Sequence, residues 1–303
     1  MCKSENVKRV LVPVQFNKES EELLRYAGQL AGTLGAELVL LLASHTKELT
    51  FTQQSRNIQL LRTFGERLLM QHKTANVAFE CVVRPGNLSD CIISVIQDYS
   101  VDMVLMETCP LHQEEEHVDP DHAAAIMEKV ACPVMVVPCT ARFQNLDNLV
   151  FATDFTDQEE HVLFQIVSFA EQVGAKLTLV QVYGQAERQQ LSNYKAAMLQ
   201  TEKLLQGHNV AFKLLEEEDV LEGISDFAEA ATADMLILAT QDNFLMKRLF
   251  SSNYIKTMAY HTQYPLLTFR QLKKKPCSGC CENCGKNKSI EQESNPQIIE
   301  ISL

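Results

Sequence analysis

Four cysteines near the carboxyl terminus have the spacing of a metal-binding or thiol-reactive group. Cys277, Cys280, Cys281 and Cys284 form two C-x2-C pairs set back to back in a lysine-rich stretch. This spacing lets two thiolates converge on one ion, and nearby lysines favour the deprotonated thiol. We therefore expect a bound metal, with zinc as the first candidate and an iron–sulfur cluster as the second. A redox-active tail, and a tail with neither chemistry, remain open.

A second group of potential metal ligands lies between residues 109 and 122. Cys109, His112, His117, Asp119 and His122 fall in one segment with three consecutive glutamates. No two of the histidines have the i, i+4 spacing that would place them on one helix face. We expect a solvated acidic loop here rather than a metal site.

The chain that precedes the cysteine-rich tail contains a sequence repeated twice. The sequence GAEL at 35–38 recurs as GAKL at 174–177, and DMVL at 102–105 recurs as DMLI at 234–237. The matches keep the same order with offsets of 139 and 132 residues. A period this long indicates a duplicated domain rather than a short structural repeat. We place the first domain at 1–143, the second at 144–271 and a flexible cysteine-rich tail at 272–303.

Each copy alternates short apolar runs with amphipathic segments of helical periodicity. Strands that are apolar throughout, separated by helices, predict an α/β fold with a parallel sheet covered on both faces. We expect two tandem doubly wound sheets of five strands. Predicted strands are 9–14, 38–43, 77–83, 103–106 and 134–137, then 149–153, 177–182, 210–215, 235–239 and 266–269. Predicted helices are 18–34, 53–73, 88–99 and 122–131, then 158–173, 186–206, 220–232 and 253–262.

Specific phrases in both copies resemble the universal stress protein family. The first copy has VKRVLVPVQF, GAELVLL and CPVMVVP, and the second has LVFATDFT, GAKLTLVQVY, ADMLILAT and YPLLTF. The resemblance covers roughly residues 6–270 and implies a flavodoxin-like sheet of order 3-2-1-4-5. It also implies an internal pseudo-dimer, with residues 134–137 lying against 266–269, and leaves a homodimer open.

The resemblance implies a nucleotide site, from which both copies depart. Nucleotide-binding members carry an Asp after strand 1 and the motif G-x2-G-x9-G-[ST] after strand 4. Copy one has Gln15 in place of the Asp, and Glu107 and Pro110 in place of the first two glycines. Copy two keeps the acid as Asp154, and Ala239 stands at its first glycine position.

Copy two is therefore the better candidate for ATP, bound weakly. Its candidate residues are polar or cationic side chains near the ends of strands 1 and 4: Asp154, Thr240, Lys247, Arg248, Ser252 and Asn253. The alternative is local: Asp154 closes the turn after its strand, and Ser251 or Ser252 caps the last helix.

Composition narrows the function further. The net charge is −12 and the isoelectric point about 5.2, which disfavours binding to nucleic acid. There is no apolar run of 18 residues and no recognisable export signal, so we expect a soluble protein in the reducing cytoplasm, off the membrane. We find neither a Ser/His/Asp arrangement nor a phosphate-binding P-loop. We expect a stress-associated binding or regulatory protein with degenerate nucleotide sites, not an enzyme. The alternatives are an ATP switch in domain 2 and metal or thiol handling by the tail.

Overall fold

The computed structural model describes residues 7–44, 46–70, 77–108, 120–139, 141–240 and 264–271. In the first copy the elements are β1 (Arg9–Pro13), α1 (Lys18–Leu34), β2 (Glu37–Ser44), α2 (Phe51–Met70), β3 (Phe79–Pro85), α3 (Leu88–Tyr99), β4 (Met103–Thr108), α4 (Pro120–Lys129) and β5 (Val134–Pro138). In the second copy they are β6 (Asn148–Ala152), α5 (Glu160–Val173), β7 (Lys176–Tyr183), a 3-10 helix (Gln185–Gln190), α6 (Leu191–Leu204), β8 (Val210–Glu216), α7 (Val220–Ala230), β9 (Met235–Thr240) and β10 (Leu266–Arg270).

The α/β class and the parallel strand order within each copy are confirmed. The strands run β3-β2-β1-β4-β5 in the first copy and β10-β9-β6-β7-β8 in the second, so each copy has the order 3-2-1-4-5. The expectation of two separate sheets is wrong, because β5 and β10 pair directly and form one sheet of ten strands. An open edge strand exposes unpaired backbone groups, and joining the two fifth strands satisfies both edges at once.

The junction between the copies is the one antiparallel pairing in the described sheet. Leu267 lies opposite Met135 and Thr268 opposite Val134. The buried hydroxyl of Thr268 also donates a hydrogen bond of 3.0 Å to the carbonyl oxygen of Val134. The predicted internal contact between residues 134–137 and 266–269 is therefore confirmed.

Alternating side chains of the strands build two apolar layers that both continue across this junction. Val10, Val12 and Met135 face the layer that includes α1, α2 and α5, together with β10 residue Leu267. Leu11 faces the opposite layer, which includes α3, α4 and α7. Because successive residues of a strand point to opposite faces, almost every position of the central strands is buried and apolar.

One Asp in each copy ties the first strand of that copy to its fourth strand. Asp102 Oδ2 accepts hydrogen bonds of 2.9 Å from the backbone N–H groups of Lys8 and Arg9. Asp234 Oδ2 accepts two bonds of 2.8 Å from the N–H groups of Asp147 and Asn148. The repeated Asp-Met pair therefore has a structural role: its carboxylate fixes the register of the two strands that flank the candidate site.

The helices on one face also contact each other across the junction. The side chain of Gln172, near the end of α5, accepts a bond from Val7 N at 3.2 Å and donates one to Leu34 O at 2.9 Å. The rings of Tyr26 and Phe143 meet edge to face with centroids 5.1 Å apart. These contacts fix how the two copies pack on this face.

The predicted elements within the described ranges are present, with ends displaced by up to three residues. The helix expected at 186–206 begins as a 3-10 turn, and the helix expected at 253–262 lies outside the described residues. The helix ends at Gly35 and Gly174 adopt the left-handed conformation, with φ of 63° and 75°. None of the described helices is long and apolar enough to cross a bilayer.

Candidate functional site

Each copy has a crevice at the carboxyl ends of its first and fourth strands, where the direction of strand succession reverses. Ligands of doubly wound sheets bind at this position. The register aligns the copies, because Val10 pairs with Met103 and Leu149 pairs with Met235. By these offsets Glu107 of β4 corresponds to Ala239 of β9.

The loop after β1 in copy one is closed by short-range hydrogen bonds. Gln15 N donates to Ser20 Oγ at 3.1 Å, and Asn17 Oδ1 accepts from Ser20 N at 2.9 Å, which caps α1. Phe16 between them has a positive φ of 56°, and its ring packs edge to face on Phe64 at 5.3 Å. The backbone after β1 is therefore held by the first turn of α1, and the Gln15 side chain is exposed.

The carboxyl group of Glu107 is the most perturbed acid among the described residues. It extends from β4 beside Val137 of β5, on the face covered by α1. Its Oε2 is buried and has no hydrogen-bond partner. Burial, and secondarily the charge of Glu19, raises the pKa of Glu107 to about 7. This carboxyl is therefore expected to titrate near neutral pH.

The first turns of α1 explain why Glu19 acts on Glu107. Glu21 lies 2.6 Å from Arg67, and Glu22 lies 2.7 Å from Arg25 and also pairs with Arg142. Glu19 forms no ion pair with any residue in the described ranges. Its negative charge disfavours a second negative charge on Glu107.

In copy two, Asp154 closes the turn after β6, as the alternative interpretation of the sequence had it. Its Oδ1 accepts a bond of 2.9 Å from Thr156 N and one of 2.7 Å from Thr156 Oγ1. The side chain is exposed. One carboxylate oxygen is therefore engaged within the turn, and Oδ2 has no hydrogen-bond partner among the described residues.

Hydrogen bonds between polar groups hold the segments that follow β6 and β7 in copy two. The buried Gln181 Oε1 accepts from Phe155 N at 3.1 Å, which positions the loop after β6. Glu187 Oε1 accepts from the hydroxyl of Tyr194 at 3.0 Å, while its Oε2 accepts from Gly184 N at 3.0 Å. Burial, this hydrogen bond and the charges of Glu187 and Asp154 together raise the pKa of the Tyr194 hydroxyl.

Gln158 adds an acceptor to this crevice. Its Nε2 donates to Thr153 Oγ1, and its Oε1 is buried without a partner. Each copy therefore has one occluded, unpaired side-chain oxygen near its crevice: a carboxyl in copy one and an amide in copy two. Sequence reasoning named Glu107 only as a lost glycine and did not identify Gln158, because nothing in either local pattern indicates burial.

The other predicted site residues lie largely outside the described part of the chain. Thr240 ends β9, but its side chain is outside that part, as are Lys247, Arg248, Ser252 and Asn253. The four tail cysteines and the 109–119 segment are also outside it. Within the described ranges no three His, Cys, Asp or Glu side chains converge as metal ligands. The nucleotide and metal assignments to these residues therefore remain predictions.

Comparison with known proteins gives a family match in both copies. The family model described as "Universal stress protein family" matches residues 6–138 and again 145–270. The domain boundaries expected from the sequence fall close to these ranges and remain predictions. No curated protein matched the chain.

Two crystal structures share the fold over most of the chain. A universal stress protein from Archaeoglobus fulgidus DSM 4304 is 13% identical, with a TM-score of 0.63 over 86% of this chain and 98% of that one. A functionally unknown protein from Pseudomonas aeruginosa PAO1 is 15% identical, with a TM-score of 0.59 over 95% of this chain and 98% of that one. At these identities the likeness is one of fold.

Proposed function

This chain belongs to the universal stress protein family, and we propose that it is a stress-associated binding and regulatory protein without catalytic activity. In this proposal the second copy is the adenine-nucleotide site, and the first copy serves as its structural partner. The observation that carries the proposal is the difference between Glu107 and Ala239 at equivalent positions of β4 and β9.

The first copy is poorly suited to a phosphate group. Backbone N–H groups can approach a phosphate closely only where no bulky side chain intervenes. Glu107 places a partly buried carboxyl at this point, and Glu19 adds a negative charge nearby. Close repulsion in a partly desolvated crevice costs more than it does in water.

The second copy has the features that the first lacks. Ala239 has only a methyl group where copy one has the Glu107 carboxyl, and Asp154 supplies a carboxylate after β6. The Tyr194 hydroxyl and the Glu187 carboxyl add polar groups at the end of β7, next to β6. These features support recognition of a polar ligand with hydrogen-bond donors, such as the ribose hydroxyls and the amino group of an adenine nucleotide.

The same proposal assigns the protein to the cytoplasm. Cys81, Cys91, Cys132 and Cys139 are free thiols in the described part of the chain, which fits a reducing compartment. Cell fractionation with a tagged full-length chain tests this assignment.

Calorimetric titration of the full chain with Mg-ATP tests the assignment of the nucleotide site. We expect one ATP per chain, bound without release of inorganic phosphate over hours. Ala239→Glu should abolish binding because it transfers the obstruction of copy one into copy two, and Asp154→Ala should weaken it. The matched variant Ala239→Gln separates charge from bulk, and Glu107→Gln is the control in the other copy.

Three outcomes contradict the proposal. Two ATP molecules per chain would show that Glu107 does not block copy one. Binding that survives both Ala239→Glu and Asp154→Ala would place the site elsewhere. The absence of any ATP binding would remove the nucleotide from the proposed function.

A further inference from the structure

The Glu107 carboxyl is placed where its ionisation is unfavourable. Its strand neighbours on the same face are apolar, including Val12 and Val14 of the first-strand segment and Val137 of β5. Oε2 is buried and unpaired. Burial of a neutral acid at such a position costs less free energy than burial of a carboxylate, because the desolvation cost of an ion far exceeds that of a neutral polar group.

No positive charge in the described part of the chain compensates an ionised Glu107. From α1, the helix packed on this face, the one charged group that acts on Glu107 is Glu19, which has the same sign. The nearby arginines Arg25, Arg67 and Arg142 are engaged with Glu21 and Glu22. From β1 and β5 the neighbours are apolar, and α4 packs on the opposite face of the sheet.

We propose that Glu107 is a proton-operated latch at the carboxyl end of β4: the neutral acid holds this strand end packed against α1, and the carboxylate releases it to solvent. The latch is confined to copy one, because Ala239 at the equivalent position of β9 has nothing to ionise. The pKa of about 7 places the transition in the neutral range. This inference is independent of ATP, and it can hold whether or not copy two binds nucleotide.

The first measurement is the titration of the carboxyl itself. Full-length protein is labelled with ¹³C at the side-chain carboxyl carbon of glutamate, and the Glu107 resonance is assigned by its loss in Glu107→Gln. We expect a midpoint near pH 7, and a lower midpoint in Glu19→Gln because that change removes the like charge. A midpoint near the ordinary value of 4.5 overturns the proposal.

The second measurement tests release of the strand end. Amide hydrogen exchange of residues 103–108 is compared with that of residues 235–240 in the same sample, which cancels the intrinsic pH dependence of exchange. If the carboxyl has its ordinary pKa in the released state, the ratio should rise about tenfold between pH 6 and pH 8. Glu107→Gln should abolish the rise. A ratio that stays constant in the wild type, or rises equally in the variant, overturns the latch.

Discussion

The unusual carboxyl of Glu107 leads to a quantitative prediction for global stability. Replacing it with Gln keeps the shape of the side chain and removes the ionisation. The pKa is raised to about 7 in the folded protein from 4.5 for an ordinary glutamate. That difference corresponds to about 3 kcal/mol of free energy of unfolding.

The sign follows from proton binding. The folded state holds the Glu107 proton more tightly than the unfolded state does. Its contribution to stability is therefore complete below pH 4.5, decreases as the pH rises, and is lost above about 7. Relative to wild type, the free energy of unfolding of Glu107→Gln should rise by about 3 kcal/mol between pH 4 and pH 8.

Thermal unfolding of both proteins at matched pH values measures this difference. All other acids titrate in both proteins, so the difference between the two curves isolates Glu107. For a protein of this size we expect a shift of about 2 °C in the relative Tm for each kcal/mol. Curves that stay parallel from pH 4 to pH 8 would refute the argument, since they would mean that Glu107 is solvated in the folded protein.

Two further predictions concern other parts of the chain. Asp234→Ala removes the acceptor for two backbone N–H groups at the start of β6 and should lower the free energy of unfolding by roughly 1–3 kcal/mol, measured by thermal unfolding. Asp102→Ala should cost a similar amount in copy one. No loss of stability in either variant would mean that water replaces the carboxylate. In the tail, the double change Cys280→Ser with Cys281→Ser should abolish the metal content of protein purified without chelator. It should leave the Tm of the domains nearly unchanged. Retention of full metal stoichiometry would assign the ion to another site.

Strand and helix positions were predictable from the sequence because both copies have strong periodicity. Fully apolar runs such as 38–43 match buried parallel strands, and Gly35 marks the end of α1. The contact between the two fifth strands was also predictable, since each left an open edge. Their union into one sheet was missed, because apolar strand residues show that a strand is covered but do not distinguish a hydrogen-bonded neighbour from a packed one.

The candidate site was predictable in position and less so in chemistry. The family motif placed Gln15, Glu107 and Asp154 at strand ends, and in the structure they lie at the ends of β1, β4 and β6. The perturbation of Glu107 depends on what surrounds it, namely α1 packing over it and Glu19 lacking an ion-pair partner among the described residues, and neither can be read from the local sequence. The role of Asp102 and Asp234 was missed for the same reason, although the repeat itself contained both.

The pairing of β5 with β10 inside one polypeptide also bears on how the two copies could diverge. A pair joined by covalent linkage forms at an effective concentration set by the chain, so dilution does not separate it. In a symmetric homodimer any substitution appears twice, once in each subunit. Here a change such as the acid at Glu107 affects one crevice and leaves its counterpart at Ala239 untouched. The duplicated chain can therefore specialise one half while the other keeps its original task.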